Sequence, residues 1–281
     1  DLKETVNSVS YFKSKLNIRL RVLNKYNLAY SDTITILIQD KPPAEVNLTT
    51  TIDNNDLINI FNSFNNSQEN NIMNDLEHSI FFDVGKYNDQ IGNSNVILVN
   101  NPTIDSDGLN CNGTSYASLD STDLGNTMTF STWFYIDSKS NYQRIFDFGL
   151  GHPNQNIGLL QFSNNSKIAA MHISTNHWGS GTGTNRILTK NINTFTSIWT
   201  FCVLTIKELN GKTYFQLHYK NNSQFGNDNV TYTYDSTFTP IVRTKNYIGS
   251  NTDGTEIFNG KIKSLNIWKR ELSNDEIDYL Y

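Results

Sequence analysis

Cysteine is scarce in this chain: only Cys111 and Cys202 occur in 281 residues. A disulfide framework is thereby excluded, since at most one bridge can form. Both cysteines sit in strand-like runs, GLNCNGTSYASL and WTFCVLTI, and read as two buried free thiols. A single cross-sheet disulfide is the alternative. Neither lies near a second Cys or His at zinc spacing, which discounts metal and redox chemistry there. Basic clusters are missing as well. Lys and Arg number 22 against 27 Asp and Glu, for a net charge of -5 and a pI of about 5.5. With no Lys/Arg stripe, nucleic acid and anionic membranes are poor partners. No apolar run approaches the roughly 20 residues that span a bilayer. The first residues, from Asp1, show neither an n-region nor an h-region, so a secretory signal is absent or already removed. No G-x-S-x-G, HExxH or Gly-rich phosphate loop appears.

Asparagine, by contrast, is abundant, at about one position in seven. Compositional bias explains most of this. Six N-x-S/T triplets, beginning at Asn47, Asn65, Asn112, Asn164, Asn221 and Asn229, leave a glycosylated surface as the functional alternative. The length suits one sizeable core, or a domain of roughly 200 residues with a smaller unit beside it.

Two alternating runs occupy residues 18–38. Ile18, Leu20 and Val22 alternate with Arg19 and Arg21, and Ile34, Ile36 and Ile38 follow a polar turn. The pattern predicts a β-hairpin. Lys41-Pro42-Pro43 then breaks the strand and stiffens the connection. Residues 46–79 read as a partly helical linker, with one short amphipathic segment around Leu57, Ile58, Ile60 and Phe61 and another around Ile72, Met73 and Leu76. From Ile80 onward about ten strand-like runs follow, separated by Gly, Asn and Asp clusters. Almost no helical periodicity appears until the end, which predicts an all-β antiparallel sandwich or jelly roll. Ser273 can cap a closing helix, with Glu276 three residues on and Ile277 and Leu280 as its apolar stripe.

That closing stretch, Phe258 to Leu280, reads F-x-G-x-I-x-x-L-x-I-W-x-R-x-L-S-x-x-E-I-x-x-L. It resembles the end of laminin-G-like, concanavalin A-like modules at every fixed position. GTSYASLDS, TFSTWFYID, IFDFG and SIWTFCVLTI resemble further strands of that family, and DVGKYNDQIGNS resembles its early loop in looser form. The resemblance covers residues 80–281. It implies a jelly roll in which Trp133, Trp199 and Trp268 are core or near-core residues, with Trp268, Leu272, Ile277 and Leu280 closing the sandwich. The 18–38 hairpin resembles the last two strands of a fibronectin-III or immunoglobulin-like domain. Residues 1–45 are then the C-terminal part of such a domain, or a hairpin ornament on the main one. On the first reading the chain starts inside a longer protein.

Concanavalin-like folds include glycoside hydrolases, which need two carboxylates about 5 to 5.5 Å apart in retaining enzymes. Such a pair is expected on one strand at i and i+2, as in E-x-D. Between Glu77 and Glu256 the single glutamate is Glu208, so no catalytic residue is assigned and no enzyme is expected. Scattered histidines (His78, His152, His172, His177, His218) read as structural. The loop Thr175 to Arg186, TNHWGSGTGTNR, is the candidate ligand site. Asn176, His177, Trp178, Asn185 and Arg186 combine an aromatic face with amide and guanidinium donors, as sugar sites do. The bland alternative is a rim loop whose Trp packs back on the sandwich. The family resemblance also allows Ca2+ at the rim, with Asp105, Asp107, Asp120, Asp123 and Asp253 in turn-like segments as oxygen donors; no cofactor is required. The expected role is non-enzymatic binding or adhesion toward glycan or protein, at an extracellular, cell or virus-particle surface and without membrane insertion. A structural or decoration component of a large assembly, such as a virion or surface fibre, is the rival reading. A carbohydrate-active enzyme is the remote one.

Overall fold

The computed structural model describes residues 15–23, 29–37, 72–151, 154–161, 167–173, 185–191, 196–221, 224–234 and 240–280. The chain divides into two compact units, one formed by Asp1–Ile72 with Asp275–Tyr281 and the other by Met73–Asn274.

In the first unit, β1 (Lys15–Leu23) and β2 (Ala29–Leu37) pair antiparallel from Lys15↔Leu37 to Leu23↔Ala29. The alternation of Ile18, Leu20 and Val22 with arginines makes β1 extended. The linker segment at 57–61 lies outside the described residues. Helix α1 (Asn274–Leu280) carries Asp275 and Glu276 in its first turn, where carboxylates complement the helix dipole. Ile277, Tyr279 and Leu280 are buried.

The second unit is a sandwich of two antiparallel sheets. One has seven strands, in the order β13 (Asn185–Asn191), β12 (Lys167–Ile173), β11 (Asn156–Gln161), β10 (Arg144–Gly149), β18 (Lys245–Ile248), β7 (Tyr116–Leu119) and β4 (Val96–Val99). The other runs β16 (Gln224–Tyr234), β15 (Lys212–Asn221), β14 (Trp199–Leu209), β9 (Met128–Ile136), β19 (Gly260–Trp268), β6 (Gly108–Asn110) and β5 (Thr103–Asp105), with β3 (Leu76–Phe81) also paired to β19. A short ladder joins β8 (Thr122–Asp123) to β17 (Val242–Arg243). The turn between β14 and β15 is Asn210-Gly211, with φ of 52° and 73°. Asn-Gly tolerates this left-handed pair, whose twist matches that of the flanking strands.

Period-two patterning assigns the inner faces. Met128, Phe130, Phe134 and Ile136 of β9 join the core, as do Cys202, Leu204 and Ile206 of β14 and Ile262, Leu265 and Ile267 of β19. Across the sandwich, Phe130 stacks on Phe146 at 4.8 Å and meets Phe148 edge-on at 5.9 Å. Both cysteines are free and buried in this core, and burial raises both thiol pKa values.

Three expectations change. Leu76 opens a strand rather than lying in a helix, because it pairs with Trp268 at the end of β19. Asn185 and Arg186 belong to β13 rather than to a loop. Trp268 is fully buried, but Trp133 and Trp199 are only half-buried. Their register partners, Phe201 and Tyr135, lie out of phase with the core positions of β9 and β14, so both tryptophans stand on the outer face.

Candidate functional site

Polar chemistry collects on the outer face of the seven-stranded sheet. Arg144 and Asp147 of β10 are both fully buried. A bulge between Arg144 and Phe146 puts Arg144 on the same face as Asp147, so the two side chains are neighbours. Arg144 Nε lies 3.6 Å from Asp147 Oδ2, and Arg144 Nη2 lies 2.8 Å from Glu256 Oε2. Asn156 Nδ2 donates to Asp147 Oδ1 at 2.8 Å and to Thr252 Oγ1 at 2.9 Å. Asp147 also accepts the Thr252 amide.

These bonds tie down the segment after β18. It leaves the sheet beyond Ile248, opposite Phe146, yet Thr252 reaches Asn156, which lies one position past the Ile157↔Phe148 pair. The segment therefore folds back along the sheet and covers Asp147. Its own turn is held by Asn251, whose Oδ1 accepts the amides of Thr255 at 2.8 Å and Glu256 at 3.2 Å. Burial pushes the Asp147 carboxyl up to about 7, against the pull of Arg144 and Asn156. Glu256 is also raised, by burial first, although its side chain is 29% exposed.

A second cluster links the 83–94 loop to the sandwich. His78 Nδ1 pairs with Asp89 Oδ2 at 2.7 Å and His78 Nε2 with Thr122 Oγ1 at 2.8 Å. The amides of Ser79, Ile91 and Ser94 donate to Asp89. Burial alone would raise the Asp89 carboxyl, but the bonds from His78, Ser79 and Ile91 hold it below the ordinary value. An Asp–His–hydroxyl chain has the order of a nucleophilic relay. Thr122 is 5% exposed and His78 3%, so no substrate can reach the hydroxyl. The chain is a fastener.

The outer face of the eight-stranded sheet is different, because part of it is open. Trp199 pairs in register with Tyr135, Tyr135 with Lys261, Lys261 with Asn110 and Asn110 with Thr103. Register partners share a face, so the five form one cross-strand row. Trp199, Tyr135, Lys261 and Asn110 are half-buried and Thr103 is exposed. The Tyr135 and Trp199 ring centroids are 5.6 Å apart, and those of Trp133 and Phe201, in the adjoining row, are 5.2 Å apart. Lys261 Nζ lies 2.6 Å from Asp107 Oδ2. The sequence held a signal for this row: in TFSTWFYI and WTFCVLTI the apolar positions run on into both phases. Such continuity reads as burial on both faces, which hid the aromatic outer face.

Of the candidate loop, Asn176, His177 and Trp178 lie outside the described residues. Asn185 pairs with Ile173 and Arg186 with His172, successive positions that alternate between the two faces of a strand. The five aspartates considered for calcium do not gather into one cluster. Asp107 is held by Lys261 and Asp120 by Asn95, while Asp105 and Asp123 each accept an amide two residues on. Among the described residues no group of three or more His, Cys, Asp or Glu side chains gathers as a metal site would need. Asn112 lies in an exposed turn, where its side chain accepts from the Thr114 hydroxyl of the same triplet at 2.5 Å.

A family model described as the concanavalin A-like lectin/glucanases superfamily matches residues 111–278. The chain belongs to this superfamily. No curated protein matches it. Among solved structures, it is similar to the binding domain of botulinum neurotoxin DC in complex with SialylT. The two are 12% identical with a TM-score of 0.50, over 74% of this chain and 51% of that one. It is also similar to domain 4 of AbnA, a GH43 extracellular arabinanase from Geobacillus stearothermophilus, in complex with arabinotriose. There the identity is 18% and the TM-score 0.49, over 73% of this chain and 97% of that one. The Ruminococcus gnavus IT-sialidase CBM40 matches over 54% of this chain and 81% of its own, at 14% identity and a TM-score of 0.39. The chain spans about half the length of the toxin binding domain. At such identities the likeness is one of fold.

Proposed function

We propose that the chain is a non-catalytic glycan-binding module of a larger extracellular or particle-surface protein. The superfamily joins lectins with glucanases, and the burial of Asp147 favours the lectin side. A glycosidase presents two carboxylates to one scissile bond from an open cleft. Here Asp147 and Glu256 flank one buried arginine, and Asp147 is fully covered by the segment that Asn156 and Arg144 hold in place. The pair serves the architecture and leaves the sheet surface to binding. Among the described residues no helix is long and apolar enough to cross a membrane. Trp178, and Arg186 on β13, remain proposed contacts.

A glycan microarray, run with calcium and with a chelator, tests this reading alongside an assay for reducing ends released from the glycans that bind. Binding without release is expected. Release of reducing sugar, or silence across the array in both conditions, would overturn it.

A further inference from the structure

We propose that the row Trp199–Tyr135–Lys261–Asn110–Thr103, on the outer face of the eight-stranded sheet, is the glycan platform, and that it takes a neutral oligosaccharide laid across the strands. This rests on the glycan-binding reading and adds to it the place and the charge class of the ligand.

Rigidity comes first. All five residues sit on strands β14, β9, β19, β6 and β5, hydrogen-bonded side by side. Functional groups on strands are held more firmly than groups on loops. Adjacent strands lie about 4.8 Å apart, so four interstrand steps give a linear site of roughly 19 Å. An oligosaccharide chain suits that length better than a single sugar does.

Chemistry follows the same line. At one end the Trp199 and Tyr135 rings, 5.6 Å apart and tilted by 53°, are half-buried. Their inner portions are fixed by packing while the rest meets solvent. Aromatic faces stack on the apolar face of a sugar ring. Farther along, the Lys261 ammonium, the Asn110 amide and the Thr103 hydroxyl supply donors and acceptors for hydroxyl groups. Asn110 is half-buried between Lys261 and Thr103 in the row.

Charge narrows the ligand class. Lys261 is paired to Asp107 at 2.6 Å and lies within the fields of Asp105 and Asp137. Lys263 contributes to the field at Asp107. Among the described groups that act on Lys261 and Asp107, the carboxylates Asp105, Asp107 and Asp137 outnumber the ammonium groups of Lys261 and Lys263. A sialylated or sulfated glycan would meet net repulsion there, whereas a neutral one would not.

The experiment is titration calorimetry of the whole chain. The probes are the best-binding neutral oligosaccharides from an array of gluco-, galacto-, manno- and arabino-oligosaccharides, with sialyllactose and a sulfated oligosaccharide as acidic probes. Trp199→Ala and Tyr135→Ala should each raise Kd at least tenfold while circular dichroism and the melting profile stay native. Trp199→Phe, which keeps an aromatic face, should retain most of the affinity, and quenching of Trp fluorescence on binding should be smaller in that variant than in the wild type. Trp178→Ala is the comparison for the proposed contact at 175–186: a loss of affinity there that Trp199→Ala and Tyr135→Ala do not share moves the site off this row and overturns the inference. Neutral binding that both alanine variants leave untouched overturns the inference while the glycan-binding reading stands. Tighter binding of the acidic probes overturns the charge assignment. Binding of no glycan overturns both readings.

Discussion

Single residues decide how tightly the loops of this sandwich seat. Gly92 is the clearest case. A Cβ there would lie 2.5 Å from the Glu77 carbonyl oxygen, 2.6 Å from Asp89 Oδ2 and 2.7 Å from His78 Nδ1. The Asp89–His78–Thr122 fastener closes around a glycine because no side chain fits. Gly92→Ala is expected to cost about 1–3 kcal/mol, the usual range for overpacking a tight site. Urea denaturation would show this as a lower midpoint, and an unchanged midpoint would mean that the loop yields freely. Gly249 is held to glycine twice over. Its φ is 86°, and a Cβ would come within 2.3 Å of Cys111 Sγ. The sequence DVGKYNDQIGNS announced a loop of the right kind, yet His78 and Thr122 were not legible as its partners. Each comes from a different strand, and sequence spacing carries no trace of such a meeting.

At the scale of elements, the segment after β18 shows how buried polar groups hold a loop across a sheet. Its anchor, Asp147, titrates near 7 in the folded chain because burial disfavours the charged form, against an ordinary 3.8. The folded state therefore binds more protons than the unfolded state between these values. The stabilising contribution is full below about pH 4 and is lost as pH rises through about 7. Glu256, raised in the same direction, adds to the trend. Asp147→Asn should flatten this part of the stability profile, read as thermal midpoints measured at half-unit steps from pH 4 to 8. A wild-type profile that is flat over the same range, or a variant profile that keeps the slope, would contradict the assignment. Sequence reading sought a carboxylate pair at i and i+2 on one strand. The pair that exists joins β10 to the segment before β19, a meeting that only the fold could arrange.

For the whole molecule, the sandwich predicts a gradient of protection. β9 and β19 are paired on both sides and line the core with Phe130, Phe134, Ile262 and Leu265. β4 and β5 stand at sheet edges, and Ile97 of β4 is 56% exposed. Hydrogen exchange followed by mass spectrometry should find the slowest amides in β9 and β19 and the fastest sheet amides in β4 and β5. Equal rates across the sheets would argue against the strand order described.

The sequence by itself determined the class of this protein. Alternating apolar positions, turn residues between them and the closing F-x-G-x-I run are local, so the all-β sandwich could be read directly from the chain. Asn210-Gly211 and the helix at Asn274–Leu280 belong to the same local kind. Tertiary structure alone decided which outer-facing residues stand together. Trp199, Tyr135, Lys261, Asn110 and Thr103 come from five strands, and only register brings them into one row. It also decided that Asp147 is sealed rather than presented. Both outcomes depend on long-range pairing, whose partners are chosen by the packing of the whole core and not by their neighbours in sequence.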